Sequence, residues 1–505
     1  MTATVISGSN LVTGSTIDQR AAKVATGLAE MGIGAGDTVA ILLRNDPVFF
    51  EISFGANLLG ANVVPVNWHF RSDEALFVIA DSGAKLIVAH EDLLPVLGDR
   101  SLLSLPILVC PVPQEVAEAY GSPVSTIDEW ASWRDKHAEW RGEPQITRFG
   151  MIYTSGTTGK PKGVKREPAD AEMAKRMAAL MATALGLVPG QTIRTVITGP
   201  IYHAAPNTYA LVAGRVGELV AMQPRFDAEE LLALIEHHRL THVHLVPTMF
   251  VRLLKLPEEV RSKYDLSSLR FVAHGAAPCP PEIKQAMIAW WGPIIHEYYG
   301  GSETGGAVYH NSEEALRKPG TVGRAMDGCA IRILDDEGNE VLAGTPGHVY
   351  IRSTSFPDFT YHGRDADRHA IEREGFVTIG DIGFLDQDGY LFLCDRANDM
   401  IISGGVNIYP AEIEAVLLSH PGIADAAVFG VPDAEFGEAV CAAIQPANVG
   451  APDAAEVTAF VRSKLAAFKA PRHVEFHSTL PREDSGKILR RLLKEPHWAG
   501  TGRTI

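Results

Sequence analysis

No stretch of this 505-residue chain approaches the roughly 18 apolar residues that a membrane-spanning helix requires. Its opening, MTATVISGSN, has neither the basic segment nor the apolar core of a secretory leader. A bilayer span and export by that route are therefore not expected. Cysteine is scarce: Cys110, Cys279, Cys329, Cys394 and Cys441 are odd in number, far apart and without a C-x-x-C pair. That argues against a disulfide framework or a ribbon-type zinc site and fits a reducing cytoplasm. Basic residues are the minority, 45 Lys+Arg against 61 Asp+Glu, and the formal charge of −16 disfavours nucleic acid or an anionic lipid surface as partner. There is no internal repeat or low-complexity tract, and the closing GTGRTI carries no lipidation or peroxisomal address. The length exceeds what one hydrophobic core usually supports, so at least two domains are expected.

What is present is a layered pattern. Val24, Leu28 and Met31 recur at helical spacing, and Gly-Ala-Gly-Asp then leads into the apolar run VAILL at 39–43, a helix feeding a strand. The alternation continues through NVVPVN, KLIVAH, LIEHHRL and HVHLVP, which predicts α/β structure with helix-covered sheets. From about residue 340 the segments NEVL, GHVYIRS, GFVTIGDIGFLD and GYLFLCDR are short, β-rich and divided by Gly and Asp turns. They predict a small β subdomain. Beyond Asn398 come the helical AEIEAVLLSH, strands near ADAAVFGV and AVCAAIQP, and a helix with Val457, Phe460, Val461, Leu465 and Phe468 on one stripe.

The densest motif is Tyr153-Thr-Ser-Gly-Thr-Thr-Gly-Lys-Pro-Lys-Gly163. Glycines allow backbone N–H groups close to phosphate oxygens, the hydroxyls of Thr154, Ser155, Thr157 and Thr158 donate further bonds, and Lys162 adds positive charge. The alternative is a surface turn, which rarely stacks Gly, Ser/Thr and Lys over such a length. A P-loop of the G-x-x-x-x-G-K-[ST] type does not fit, because Lys160 is followed by Pro161.

This segment resembles the signature loop of the adenylate-forming superfamily, which contains acyl-CoA synthetases, carrier-protein-linked adenylation domains and firefly-type luciferases. The resemblance runs through residues 18 to 495 in the expected order. It implies a large N-terminal adenylation domain over 1–396, built of two helix-covered sheets and a small β-barrel-like subdomain. A hinge at 397–398 and a small mobile α+β lid over 399–505 would follow. It also implies MgATP as the activating reagent and coenzyme A as cosubstrate, with the lid rotating about Asn398 between two half-reactions.

The same resemblance assigns residues. Ser155, Gly156, Thr157, Thr158, Thr154 and Lys162 would hold phosphates. In Tyr298-Tyr-Gly-Gly-Ser-Glu-Thr304, Tyr299 would stack on adenine beside Gly300 and Ser302, and Glu303 would meet magnesium, a hard cation suited to one carboxylate plus phosphate oxygens. His274-Gly-Ala-Ala-Pro278 looks like the adenine-packing segment, with Gly275 and Ala276 against the base and His274 where Ser is more usual; His274 contacts the nucleotide or is a satisfied buried histidine. Asp381 and Arg396 fall where the ribose hydroxyls are held. Leu480-Pro-Arg-Glu-Asp-Ser-Gly-Lys-Ile-Leu-Arg490 looks like the motif of the catalytic lysine, Lys487.

Within Gly199-Pro-Ile-Tyr-His-Ala-Ala-Pro206, His203 sits where relatives place a residue beside the acyl pocket and reacting carboxylate, with Tyr202, Asn207 and Gly301 as pocket neighbours. The small Ala204, Ala205 and Asn207 suggest a bulky acid: medium- or long-chain fatty, aryl-propenoic or steroid side-chain. Gly404 and Gly405 would line the thiol path, and Asn407 would reach the adenylate; Ile402 replaces a lysine found in relatives that activate aromatic acids. Asn398 stands where the family usually has Asp or Lys. The segment before Thr16 is shorter than in many relatives, leaving the cap of that edge open.

Two other readings compete. One is a stand-alone adenylating enzyme loading a carrier protein, which the 18 residues after Lys487 are too few to carry in cis. The other is a non-catalytic nucleotide-binding protein, against which the joint retention of Lys162, Glu303, Asp381, Arg396 and Lys487 argues. A monomer or homodimer is expected.

Overall fold

The computed structural model describes residues 1–99, 103–125, 129–146, 148–154, 161–396, 399–403, 406–433, 435–447, 450–483 and 486–499. Its spine is a fourteen-stranded sheet. One half is parallel: Thr4–Ser7, Leu219–Met222, Arg194–Ile197, His242–Leu245, Phe271–His274 and Ile295–Gly301 lie side by side in that order. These strands are short and apolar on both faces because helices cover each side, as the sequence pattern predicts. The helices Ala228–His238, Pro247–Leu254 and Pro281–Trp291 bury Leu231, Leu232, Phe250, Leu253 and Met287 in a core with Val243, Leu245 and Val272. The N-terminal edge is capped by the chain's own start: Thr4–Ser7 pairs with Leu219–Met222 and turns back through Asn10–Val12.

A second, wholly parallel sheet orders Asn62–Pro65, Thr38–Leu42, Ala84–His90 and Ile107–Cys110. The helices Gly14–Glu30 and Val48–Leu58 join it to the first sheet in one core containing Val24, Leu28, Phe49 and Phe50. Two helix-covered sheets are thus present as expected.

The expected β-barrel-like subdomain is corrected. Thr321–Ala325 pairs with Gly305–His310 on one side and Leu391–Arg396 on the other, so the antiparallel strands extend the large sheet instead of closing on themselves. The series ends at the edge strand Cys329–Leu334, and no closed barrel exists among the described residues. Of the expected strands, NEVL forms only a single bridge, Leu334 to Glu340.

Residues 399–499 build a five-stranded sheet in which Gly437–Pro446 pairs with Ile423–Asp433, Ile401–Ser403 and, in parallel, His473–Phe476. Pro410–Leu418 and Ala454–Lys464 cover one face and Arg490–Trp498 the other. The predicted stripe is shorter than expected: Val457 and Val461 are buried, but the helix stops at Lys464 and Phe468 is exposed. Basic Arg462 and Lys464 suit a last turn, and Leu465 is already extended.

Candidate active site

Ligands of open α/β sheets lie at the carboxyl ends of parallel strands. Four such ends converge here: the turn after Ile197 that reaches His203, the helix start after Leu245, the Gly275-Ala276 turn after His274, and the turn after Gly301 that carries Glu303. Together with the C-terminal segment around Lys487 they line one cleft of about 2580 Å³.

The strands on either side of the expected phosphate loop pair with each other. Thr154 faces Lys162, and Tyr153 faces Gly163, across Ile152–Thr154 and Lys162–Arg166. Ser155, Gly156, Thr157 and Thr158 lie outside the described residues. Phe359–Tyr361 completes a three-stranded sheet and puts the Tyr361 ring 5.1 Å beneath the Lys162 ammonium, which also pairs with Asp367 at 3.0 Å. The Tyr361 hydroxyl donates to Glu303 Oε1 at 3.0 Å. Burial and the Glu303 carboxylate push the Tyr361 phenol well above its ordinary range, so it stays a donor. The loop cation and the proposed metal carboxylate are therefore held around one aromatic ring.

Glu303 is fixed from behind by Arg166. This guanidinium donates to the backbone carbonyls of Ser302 (2.6 Å), Glu303 (2.9 Å) and Pro357 (2.8 Å). Desolvation lowers its pKa to about 10, against the support of Glu303 and Asp358. The turn is tight. A side chain on Gly300 would meet the carbonyl oxygen of Gly305, and the register shifts between Tyr299 and Gly300. Gly301 N–H donates to Thr304 Oγ1 at 2.9 Å.

The Tyr299 hydroxyl donates to Asp381 Oδ2 at 2.6 Å, and Asp381 is buried. Arg396 is the register partner of Asp381 across the strands Phe376–Leu385 and Leu391–Arg396, so the two positions assigned to ribose are neighbours. Ala276 takes a left-handed φ of 66°, and Gly275 is pressed so close to the Tyr298 carbonyl that a Cβ would stand 2.7 Å from it. His274 is fully buried with its ring edge-on to Phe250, and burial pushes its pKa down to about 3; it lies beneath the site and does not line the cleft. It is buried but not satisfied: neither ring nitrogen has a hydrogen-bond partner among the described residues.

His203 caps the helix Ala204–Val216. Its ring packs 4.3 Å from that of Tyr202, which in turn meets Trp68 edge-on at 4.5 Å. Asn207 is buried and donates to the Ile201 carbonyl at 2.9 Å, so it fixes the turn that presents His203. His203 Nε2 lies 3.1 Å from Glu483 Oε2 of the C-terminal segment. The same segment packs Gly486 against Thr248, Lys255 Nζ donates to the Ala424 carbonyl, and Lys487 lines the cleft while exposed. Asn407, by contrast, is exposed on the hairpin of Ile401–Ser403 and Val406–Ile408 and does not line the cleft. Gly404, Gly405 and Asn398 lie outside the described residues.

Sequence reasoning missed Arg166, Tyr361, Asp367 and Glu483. The first is one of several basic residues after the loop, and the others acquire a role only through distant pairing. Among the described residues no helix is long and apolar enough to cross a membrane.

Residues 2–356 match the model of the AMP-binding enzyme family, and residues 412–487 match its C-terminal domain. The long-chain-fatty-acid–CoA ligase FadD13 of Mycobacterium tuberculosis is 31% identical over 94% of this chain and 90% of its own length. The fatty acid–[acyl-carrier-protein] ligase ScoC of Streptomyces coeruleorubidus is 30% identical over 96% and 91%. Among solved structures, the amide bond synthetase McbA of Marinactinospora thermotolerans superposes with a TM-score of 0.82 at 28% identity, over 97% of this chain and 96% of that one. The chain belongs to the AMP-binding enzyme family and is an adenylate-forming acid–thiol ligase, the class that holds the acyl-CoA synthetases.

Proposed function

We propose that the chain condenses a bulky carboxylic acid with ATP to an acyl-adenylate and pyrophosphate, then transfers the acyl group to the thiol of coenzyme A. The observation that carries this reading is the convergence of Lys487 and His203 with the Lys162–Tyr361–Glu303 and Tyr299–Asp381 pairs on one cleft.

The acid's carboxylate would lie at the start of Ala204–Val216, where the partial positive charge of the helix N-terminus and His203 favour an anion. Lys487 would stabilise the negative charge that gathers on the α-phosphate oxygens as the carboxylate attacks. Asp381 would accept from the ribose hydroxyls, which requires Tyr299 to release it and leaves that ring free to stack on adenine. Lys162 and the loop before it would hold the β- and γ-phosphates.

Glu303, one oxygen of which accepts from Tyr361, suits Mg²⁺ as a single carboxylate ligand beside phosphate oxygens. When bound, the cation would draw negative charge from the pyrophosphate leaving group.

Lys487 in the cleft and Asn407 on the outer hairpin fit the adenylating arrangement. Turning the lid about Asn398 would withdraw Lys487 and bring Gly404 and Gly405 to the thiol path. A thiol near pKa 8.5 is nucleophilic enough to attack the mixed anhydride without a strong protein base. The likeness to ScoC favours a carrier-protein thiol as the second reading of the acceptor.

Pyrophosphate release with MgATP and a panel of fatty, aryl-propenoic and steroid acids, with mass detection of thioesters, tests the proposal. The expected result is acid-dependent pyrophosphate and the matching acyl-CoA. Pyrophosphate without acyl-CoA transfers the assignment to a carrier-protein acceptor, and no acid-dependent pyrophosphate refutes both.

A further inference from the structure

The helix that begins at His203 also lines the acyl arm of the cleft along its length. Ala204, Ala205, Thr208, Leu211, Val212 and Arg215 all face the cavity, at the spacing of a single helical stripe. Twelve residues at 1.5 Å each put Arg215 about 18 Å along the axis from His203. The opposite wall is a second stripe, Met177, Leu180, Met181 and Ala184 of the helix Ala171–Leu185. Between the two ends the arm is apolar, as an acyl site should be.

Its far end is not. Arg215 is exposed to solvent, and its guanidinium sits over the Phe54 ring at 4.5 Å, a partial desolvation that lowers its pKa. The carboxylate whose charge acts on it, Asp18, is already paired with the N-terminal ammonium of Met1. Arg148 lines the same cleft. Before it, the Gln145 N–H donates to the Leu58 carbonyl at the close of the Phe54 helix, and after it the Met151 N–H donates to the Val63 carbonyl. Among the described residues neither guanidinium makes a hydrogen bond or ion pair. An arginine beside an apolar wall ordinarily finds a carboxylate or a carbonyl. Two without one, lining one cleft, present unused donors to whatever fills it.

We propose that Arg215, with Arg148, forms a polar subsite for an oxygen acceptor at the far end of an otherwise apolar acid. The substrate class is then a long carboxylic acid carrying a carbonyl or carboxylate oxygen about 18 Å from its reacting carboxyl. This rests on the ligase reading above. Guanidinium donors serve both acceptor types; a carboxylate should lose its advantage as salt is raised and a ketone should keep it.

The test compares acids of equal length ending in methyl, ketone or carboxylate, by kcat/KM for pyrophosphate release and by calorimetric titration of the acids without ATP. An ω-oxygen should raise kcat/KM roughly ten- to hundredfold, the value of one hydrogen bond to a charged donor. In Arg215→Gln/Arg148→Gln that ratio should fall to near one, and half-length acids should show no ω-preference in either protein. Equal kcat/KM and equal binding for methyl and oxygen termini, or a preference that survives in the double variant, overturns the subsite. An ω-preference in binding without pyrophosphate from any acid keeps the subsite and sinks the ligase reading instead.

Discussion

Replacing Arg166 by Met isolates how the catalytic turn is held. The side chain is replaced by one that leaves the carbonyls of Ser302, Glu303 and Pro357 without their donor. A hydrogen bond to a charged donor contributes about 1.5–3 kcal/mol. Against this, the fall of the guanidinium pKa from 12.5 to about 10 marks roughly 3 kcal/mol of desolvation that the neutral side chain no longer carries. Three such bonds set against that desolvation leave a net loss of about 1.5–6 kcal/mol, concentrated where Glu303 leaves its turn. Because each 1.4 kcal/mol is tenfold in an equilibrium, the half-saturating Mg²⁺ for pyrophosphate release should rise on the order of tenfold or more. Urea unfolding and a Mg²⁺ titration of the rate read the two effects separately. A variant that is destabilised yet shows wild-type Mg²⁺ dependence would refute the claim that Arg166 positions Glu303.

Lys487→Ala should lower acyl-adenylate formation on the order of 10²- to 10³-fold, by analogy with loss of one oxyanion donor. Thioester formation from supplied acyl-adenylate should fall far less, and equal losses in rapid-quench assays of both half-reactions would contradict its role. Acid should destabilise the fold early. Burial pushes His242 and His244 down to about 4 and His274 to about 3, the last faced by Glu297, Lys284, His310 and His244. Between those values and the unfolded value near 6.5 the unfolded chain binds more protons, so stability is full above that range and falls as pH drops through it. Each group costs about 1 kcal/mol per pH unit. Urea midpoints at pH 7.5 and 5.5 check this; a flat profile, or one unchanged in His244→Gln, would count against it.

The layered fold was legible because short apolar strands and amphipathic helices carry their period in the chain itself. The barrel-like expectation failed because strand segments say nothing of which edges pair: Thr321–Ala325 reads the same whether it closes a barrel or continues a sheet, and it continues one. The same division governs the site. Tyr153–Gly163 is a dense run whose composition points to phosphate chemistry, and Tyr298–Thr304 stands out only through its resemblance to the family's second core motif. Arg166, Tyr361 and Glu483 are ordinary residues whose meaning lies in pairing with Glu303 and His203, 58 or more positions away along the chain. Glu483 shows why such residues matter. It belongs to the motif of Lys487 yet meets the histidine assigned to the acid, so on the proposed assignment one C-terminal segment would touch both reactants' positions at once. A C-terminal lid of the proposed kind, contributing to both, would not move without changing both. A single rotation would therefore end the adenylating geometry at the acid and at the α-phosphate together, which is what two half-reactions sharing one cleft require.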